Sequence, residues 1–222
     1  MIFYRCKENE ETVIVVATDD MIITSKCLED VERVKEEIRH HWEISDMGEI
    51  SWYLGFEIKW DRTAGTISIN QRSYIESVLE RFKLMDVNPE TLPIEPGVQL
   101  AQVESQPCYK ETMQTRERPY AEAIGSILWA VMISRPDIAY TTGLLVQFIQ
   151  NPTEIHWEAL KRLMTYLGGT KDLWLTIGGK SEIEVQGYCD MDWASQSHRH
   201  SISGYSFLMG KGSISWTLRN KA

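Results

Sequence analysis

Two adjacent aspartates, Asp19 and Asp20, lie between the apolar runs Thr12–Ala17 (TVIVVA) and Met21–Thr24 (MIIT). Two short β-branched runs around a polar break predict a β-hairpin with Thr18-Asp19-Asp20 at its tip. Neighbouring carboxylates repel, and a turn needs only one of them. A divalent cation reverses that penalty, because Mg²⁺ and Mn²⁺ prefer hard oxygen ligands. Successive strand side chains point to opposite faces, so one aspartate is expected to be the main ligand and the other secondary. A plain polar turn accounts for the same residues.

A second acidic pair, Asp190-Met191-Asp192, follows the strand signal Ile183–Cys189. It reads as the end of a strand, as an Asp-x-Asp that holds a nucleotide-sugar through Mn²⁺, or as a phosphatase-type nucleophile. The sequence shows no phosphate loop beside it. His198-Arg199-His200 places two imidazoles two residues apart, a spacing that can share one face of an extended segment.

The elements that must carry these residues fall into blocks. Leu28, Val31, Val34, Ile38 and Trp42 recur at steps of three and four and predict a helix, with Ser25 as its N-cap. Asp46–Glu49 predicts a turn, Trp52–Trp60 a strand, and Thr66–Asn70 its partner across Gly65. Tyr74, Ile75, Val78, Leu79 and Phe82 mark a second helix. Residues 86–119 hold five of the seven prolines and predict a linker without helix or central strand. Three helices follow: about Tyr120–Ile133 with Ile124, Ile127, Leu128, Val131 and Met132 inward, a second from Asp137 as its cap, and about Glu154–Leu167 with Thr153 as N-cap. His156-Trp157 reads as packing. Strand signals at Leu173–Ile177, Ile183–Cys189, Gly204–Gly210 and Ser213–Leu218 form the last block.

Composition bounds the function. The chain has 222 residues, 43% hydrophobic and 25% charged, with a net charge of −9. Residues 1–89 hold 11 Lys and Arg against 18 Asp and Glu and residues 90–222 hold 12 against 14, so no strong basic groove for nucleic acid can be built from this chain alone. Cys6, Cys27, Cys108 and Cys189 are dispersed, which points to reduced thiols in an intracellular setting. The start gains charge at Arg5 and forms no signal-peptide core. The longest apolar run, Ile127–Ile133, is too short to span a bilayer, so a soluble protein without a membrane partner is expected.

Ala17-Thr18-Asp19-Asp20-Met21-Ile22-Ile23 resembles the polymerase signature of copia-type retrotransposon Pol polyproteins, with Ala17 where a tyrosine is usual. The likeness continues through Asp46-Met47-Gly48-Glu49, Tyr53-Leu54-Gly55-Phe56-Glu57-Ile58 and Gln71-Arg72-Ser73-Tyr74-Ile75. Tyr120–Leu128, Ser134-Arg135-Pro136-Asp137-Ile138-Ala139-Tyr140, His156-Trp157 and Tyr166–Thr170 extend it. Gly187–Ala194, Ser203-Gly204-Tyr205 and Ile214-Ser215-Trp216 complete the series. The strings are individually weak, but their order covers nearly the whole chain.

The resemblance implies an α+β fold in four parts. Residues 1–85 would be the later part of the reverse transcriptase palm and the start of the thumb, and 86–119 a Pro-rich linker. Residues 120–170 would be a three-helix connection, and 171–222 the start of an incomplete ribonuclease H-like antiparallel sheet. It implies Asp19, Asp20 and Asp190 as catalytic, metal-binding residues, Mg²⁺ or Mn²⁺ as cofactor, and an RNA or DNA template-primer as partner. Asp192 accompanies Asp190 in the family, and His200 stands where arginine is usual. The family supplies a third polymerase carboxylate upstream of the pair and further ribonuclease H acids after the Ile-Ser-Trp strand. The expectation is therefore a chain inactive alone, or a retrotransposon-derived scaffold without catalysis. Strands without the covering helices should leave Phe207, Leu208 and Trp216 poorly covered and residues 183–222 least stable.

Overall fold

The computed structural model describes residues 1–7, 10–98, 100, 119–180, 184–192, 201–210 and 212–221. These form a mixed α+β structure in two compact units, Met1–Tyr53 and Leu54–Ala222.

The first unit begins with three antiparallel strands, β1 (Ile2–Lys7), β2 (Glu10–Ala17) and β3 (Asp20–Ser25), ordered β1-β2-β3. β2 and β3 pair from Thr12↔Ser25 to Ala17↔Asp20, so the predicted hairpin is present. Its connection is two residues, Thr18-Asp19, because Asp20 already belongs to the ladder. Helix α1 (Leu28–Arg39) follows. Cys27, not Ser25, precedes it as N-cap, because Ser25 ends β3 and donates its hydroxyl to the Glu11 carbonyl at 2.9 Å. The helix stops before Trp42, which is exposed, as is Leu28 at the other end. Val34 is the one fully buried apolar side chain among the described residues of this unit. A groove of about 150 Å³ remains between Val34 and Ile38 of α1 and Phe3, Thr12 and Ile14 of the sheet. The unit is held chiefly by its ladder, with surface ion pairs such as Arg5–Glu37 and Lys35–Asp46 adding little.

The segment predicted as one strand over Trp52–Trp60 is broken at Leu54-Gly55, which take φ of +47° and +84°. In the second unit β4 (Phe56–Asp61) pairs with β5 (Thr66–Asn70), and helix α2 (Arg72–Arg81) follows. The three later helices are α3 (Tyr120–Ile133), α4 (Ala139–Val146) and α5 (Glu154–Gly169), with a 3₁₀ turn at Pro136–Ile138. The core is built where they meet α2: Ile75, Leu79, Tyr120, Ala123, Ile124, Ile127, Leu145, Leu160, Leu163, Met164 and Leu167 are buried together. The inward stripe of α3 runs through Tyr120, Ala123, Ile124, Ile127 and Ala130, at helical steps of three and four. Leu128 and Met132, expected inward, are exposed on the other side.

The predicted linker has no helix or strand in its described residues, yet it is not loose. Arg162 of α5 pairs with Glu90 at 3.0 Å and Glu95 at 2.8 Å, and Pro89 lies against Gly169.

Strand β6 (Leu175–Gly178) was expected to open the last block. It pairs instead with β5, from Ile69↔Leu175 to Thr66↔Gly178, and continues the central hairpin. The last sheet is the meander β7 (Val185–Asp192), β8 (Ser201–Met209) and β9 (Gly212–Lys221), all antiparallel with β8 central. Phe207 is 42% exposed, as expected for an uncovered face, but it fills the space above Gly187 on the next strand. Trp216 departs from the expectation: it is half-buried and its indole N–H donates to the Val131 carbonyl at 2.9 Å. At the end of α3 the Arg135 amide turns to the Ala130 carbonyl, so the carbonyl of Val131 is open to this donor.

A buried polar hub ties these parts together. Arg135, 2% exposed, forms a two-bond fork with Asp137 (Nε–Oδ1 2.9 Å, Nη2–Oδ2 2.7 Å). It also donates to the Thr170 carbonyl at 3.2 Å and the Thr170 hydroxyl at 2.6 Å, at the C-cap of α5. Asp137 was expected to cap the next helix; the guanidinium takes its oxygens instead. Burial pushes the Asp137 carboxyl up, but the Arg135 fork and the Tyr166 hydroxyl outweigh it and hold the group below its ordinary value. Next to the hub, the Ser134 hydroxyl donates to Gln71 Oε1 at 2.7 Å, and Asn70 Nδ2 donates to the carbonyls of Lys171 and Leu173.

Breaking a buried, hydrogen-bonded ion pair typically costs about 3–5 kcal/mol. Arg135→Ala should therefore lower the unfolding free energy by about 3 kcal/mol, toward the low end because Asp137 keeps some water contact. Arg135→Lys should recover only part of this, since an ammonium cannot make the fork. Urea unfolding of the two variants measures both. For the last sheet, Trp216→Phe should cost about 1 kcal/mol and raise amide exchange in β9 while leaving α3 unchanged.

Candidate functional site

The sequence places its chemistry on two hairpin-like features, and the structure assigns them to different units. Asp19 and Asp20 sit at the tip of β2–β3, both exposed, in the first unit. Asp19 occupies the turn and Asp20 the first ladder position, opposite Ala17. Neither makes an ion pair or a side-chain hydrogen bond with the described residues, although other acids of this unit, including Asp30, Glu37 and Asp46, do. The tip therefore presents two carboxylates without a resident counter-charge. Their oxygens are the right donors for a hard divalent cation. Two acids are fewer than a closed site needs, and no group of three or more His, Cys, Asp or Glu gathers among the described residues. The donor chemistry fits a metal; the number of ligands fits half a site.

One feature of the tip is not visible in the residue pattern. Thr18, immediately before the pair, takes φ +54°. For a β-branched side chain this is a strained conformation, ordinarily left to glycine or asparagine. The six-residue ladder below fixes the turn to two residues, and Thr18 absorbs the cost. Such strain, where surrounding structure enforces it, is characteristic of sites that need one side chain aimed in one direction.

Asp190 is exposed in the second unit, within β7, and its Oδ1 accepts from the Met191 amide at 2.9 Å. The strand does not end there but continues two residues to Asp192. Asp190 pairs with Gly204 of β8, so no cross-strand side chain crowds it on that side. His198, Arg199 and His200 lie outside the described residues, as does Cys108. Cys6, Cys27 and Cys189 are exposed free thiols. No helix among the described residues is long and apolar enough to cross a membrane.

Residues 1–96, which contain the strained hairpin, match the family described as reverse transcriptase (RNA-dependent DNA polymerase). The chain is 34% identical over 215 residues, 96% of its length, to the Retrovirus-related Pol polyprotein from transposon TNT 1-94 of Nicotiana tabacum. It is 29% identical over 209 residues to the corresponding polyprotein from transposon RE1 of Arabidopsis thaliana. It spans 16% and 14% of those two proteins. A further likeness, 39% over 99 residues, covers 44% of this chain and 70% of the Secreted RxLR effector protein 161 of Plasmopara viticola. No solved structure matches. The chain belongs to the copia-type retrotransposon Pol family.

The strain at Thr18 gives a direct test. A left-handed conformation costs a side-chain-bearing residue about 1–2 kcal/mol. Glycine removes that cost and adds roughly 0.5–1 kcal/mol of unfolded-chain entropy. Thr18→Gly should thus stabilise the first unit by roughly 0.5–1 kcal/mol, read as a higher urea midpoint for that unit. A lower midpoint would mean that the Thr18 side chain makes a compensating contact.

Proposed function

We propose that residues 1–85 act as the later part of a reverse transcriptase palm and the start of its thumb, with Asp19 and Asp20 as metal-binding catalytic carboxylates. The observation that carries this reading is the exposed, strained hairpin tip with two carboxylates and no counter-charge among the described residues, inside the stretch that matches the reverse transcriptase family. Reverse transcriptases use divalent metals, and Mg²⁺ or Mn²⁺ held by this pair would neutralise charge on the transferred phosphoryl group. The two carboxylates hold and orient; the strained Thr18 keeps the first of them at the turn.

The remaining assignments follow from the same descent. Residues 86–119 serve as a linker, 120–170 as a helical connection, and 171–222 as the opening of a ribonuclease H-like domain. Asp190 would be the first metal-binding acid of that domain. The three-stranded meander with Asp190 on an exposed strand supports this; β6, paired with β5, is the part of 171–222 that does not. An RNA or DNA template-primer is the partner of the whole polymerase. The first block, with its acid excess, contributes little to that binding by itself.

The 222-residue chain alone is proposed to be catalytically silent, because a two-metal site needs carboxylates beyond this pair. Purified protein given a primed RNA template with Mg²⁺ or Mn²⁺ should give no extension. Template-dependent extension that disappears in Asp19→Asn would overturn the silence. In a parallel measurement, Mn²⁺ should broaden the amide signals of residues 17–22, and Asp19→Asn should abolish the effect. A tip that ignores Mn²⁺ would remove the half-site itself.

A second reading is a retrotransposon-derived binding protein without catalysis. The observation behind it is that 44% of this chain matches 70% of a protein whose name is not that of a Pol polyprotein, the Secreted RxLR effector protein 161. Genomic sequence on either side separates the two: flanking polymerase and integrase coding sequence supports the Pol reading, and an isolated intact frame the binding protein.

A further inference from the structure

His156 lies outside every site considered so far, in the first turn of α5, and is 1% exposed. Its ring stacks on Phe148 with centroids 3.8 Å apart and planes at 14°. The backbone N–H of Thr153 donates to Nδ1 at 2.9 Å, and the Thr153 hydroxyl lies 3.0 Å from the same atom. The imidazole thus takes the place that Glu or Gln fills when the third helical residue reaches back to the N-cap amide. A backbone N–H can only donate, so Nδ1 carries a lone pair and the ring proton is on Nε2. Nε2 has no hydrogen-bond partner among the described residues.

We propose that His156 is a proton-operated latch: one proton taken up at Nδ1 breaks the cap of α5 and releases the corner from Phe148 to Thr153. Once protonated, Nδ1–H would face the Thr153 N–H, donor against donor; the Thr153 hydroxyl at 3.0 Å could accept from it, but the bond from the Thr153 N–H that closes the cap is lost. The resulting cation would also be buried without a counter-charge. The acidic and phenolic groups on its own helix and on the helices packed against it are Glu154, Glu158 and Tyr166 on α5, Tyr74, Glu76 and Glu80 on α2, Tyr120 and Glu122 on α3, and Tyr140 on α4. None is a hydrogen-bond partner of the ring, and Tyr120 is engaged with the Leu145 carbonyl. Leaving the pocket is the one way the protonated ring regains water.

Burial lowers the pKa of His156 to about 4 from an ordinary 6.5. The folded value is the depressed one, so the latch is fully closed above pH 6.5. Its advantage falls by about tenfold per pH unit between 6.5 and 4, because the open form binds the proton more tightly. The inference does not rest on the polymerase reading, since it concerns α5 alone.

Amide exchange of residues 153–158 in the full chain, corrected for intrinsic chemical rates, should rise about 20-fold from pH 7 to pH 5. In His156→Gln, where the amide side chain keeps the cap and does not titrate, the rise should be less than about twofold. Equal rises in both proteins would overturn the latch. Nitrogen-15 shifts of the wild-type imidazole test it without a variant. The Nε2–H tautomer at pH 7 with no titration above pH 5 is expected; an Nδ1–H tautomer, or titration near 6.5 with the cap intact, overturns it.

Discussion

A guanidinium cannot be left dry and unpaired, and the second unit is organised around satisfying one. Among its described residues, Arg135 is the largest nearly fully buried side chain. Asp137 supplies the counter-charge from two residues away, and Thr170 supplies two oxygens from the far end of α5. The Pro136 corner fixes the first pairing and the C-terminus of α5 the second. With both in place, the crossing of α3, α4 and α5 has little freedom. The neighbouring Ser134–Gln71 and Asn70–Leu173 bonds extend the same constraint to the start of α2 and the approach to β6. Segments remote in sequence thereby share one register.

The first unit is built on a different principle. Its buried apolar content is small, and its described polar contacts are mostly surface ion pairs, which contribute little individually. The strand ladder does most of the holding. A rigid ladder with a strained tip suits a surface that must hold two like charges side by side. A large core adds nothing to that task. The second unit, by contrast, invests in packing and in a satisfied polar hub.

Much of this was legible in the sequence. The hairpin, α2, α3 and α5 followed from periodicity and from turn residues, and Thr153 marked the start of α5 correctly. The misses share one cause: tertiary partners competed for groups that local rules assign locally. Asp137 looked like a cap but was taken by Arg135, and Ser25 looked like a cap but was absorbed by a strand. Leu128 and Met132 fit an apolar stripe, yet the Tyr120–Ala130 stripe was the one buried. Leu175–Gly178 carried the right strand signal but no indication of which neighbour it would join. The chemistry-bearing aspartates were visible by type and adjacency. The backbone strain at Thr18 was not, because no residue at that position signals left-handed geometry. Glycine would have done so.

The junction between β6 and the last sheet is made of backbone. A Cβ on Gly210 would come within 2.2 Å of the Gly178 carbonyl oxygen, and one on Gly212 within 2.0 Å of the Thr176 carbonyl oxygen. No side chain, however small, fits at either position without moving a main chain. Gly178 faces the Gly65 carbonyl at 2.5 Å in the same way. For a transposable element these three glycines are a record of history. Copies that drift without selection accumulate serine, arginine or glutamate at glycine codons as readily here as on the surface. Copies held to a folded product keep them bare, so a comparison of sibling copies at positions 178, 210 and 212 separates those that keep this requirement from those that do not.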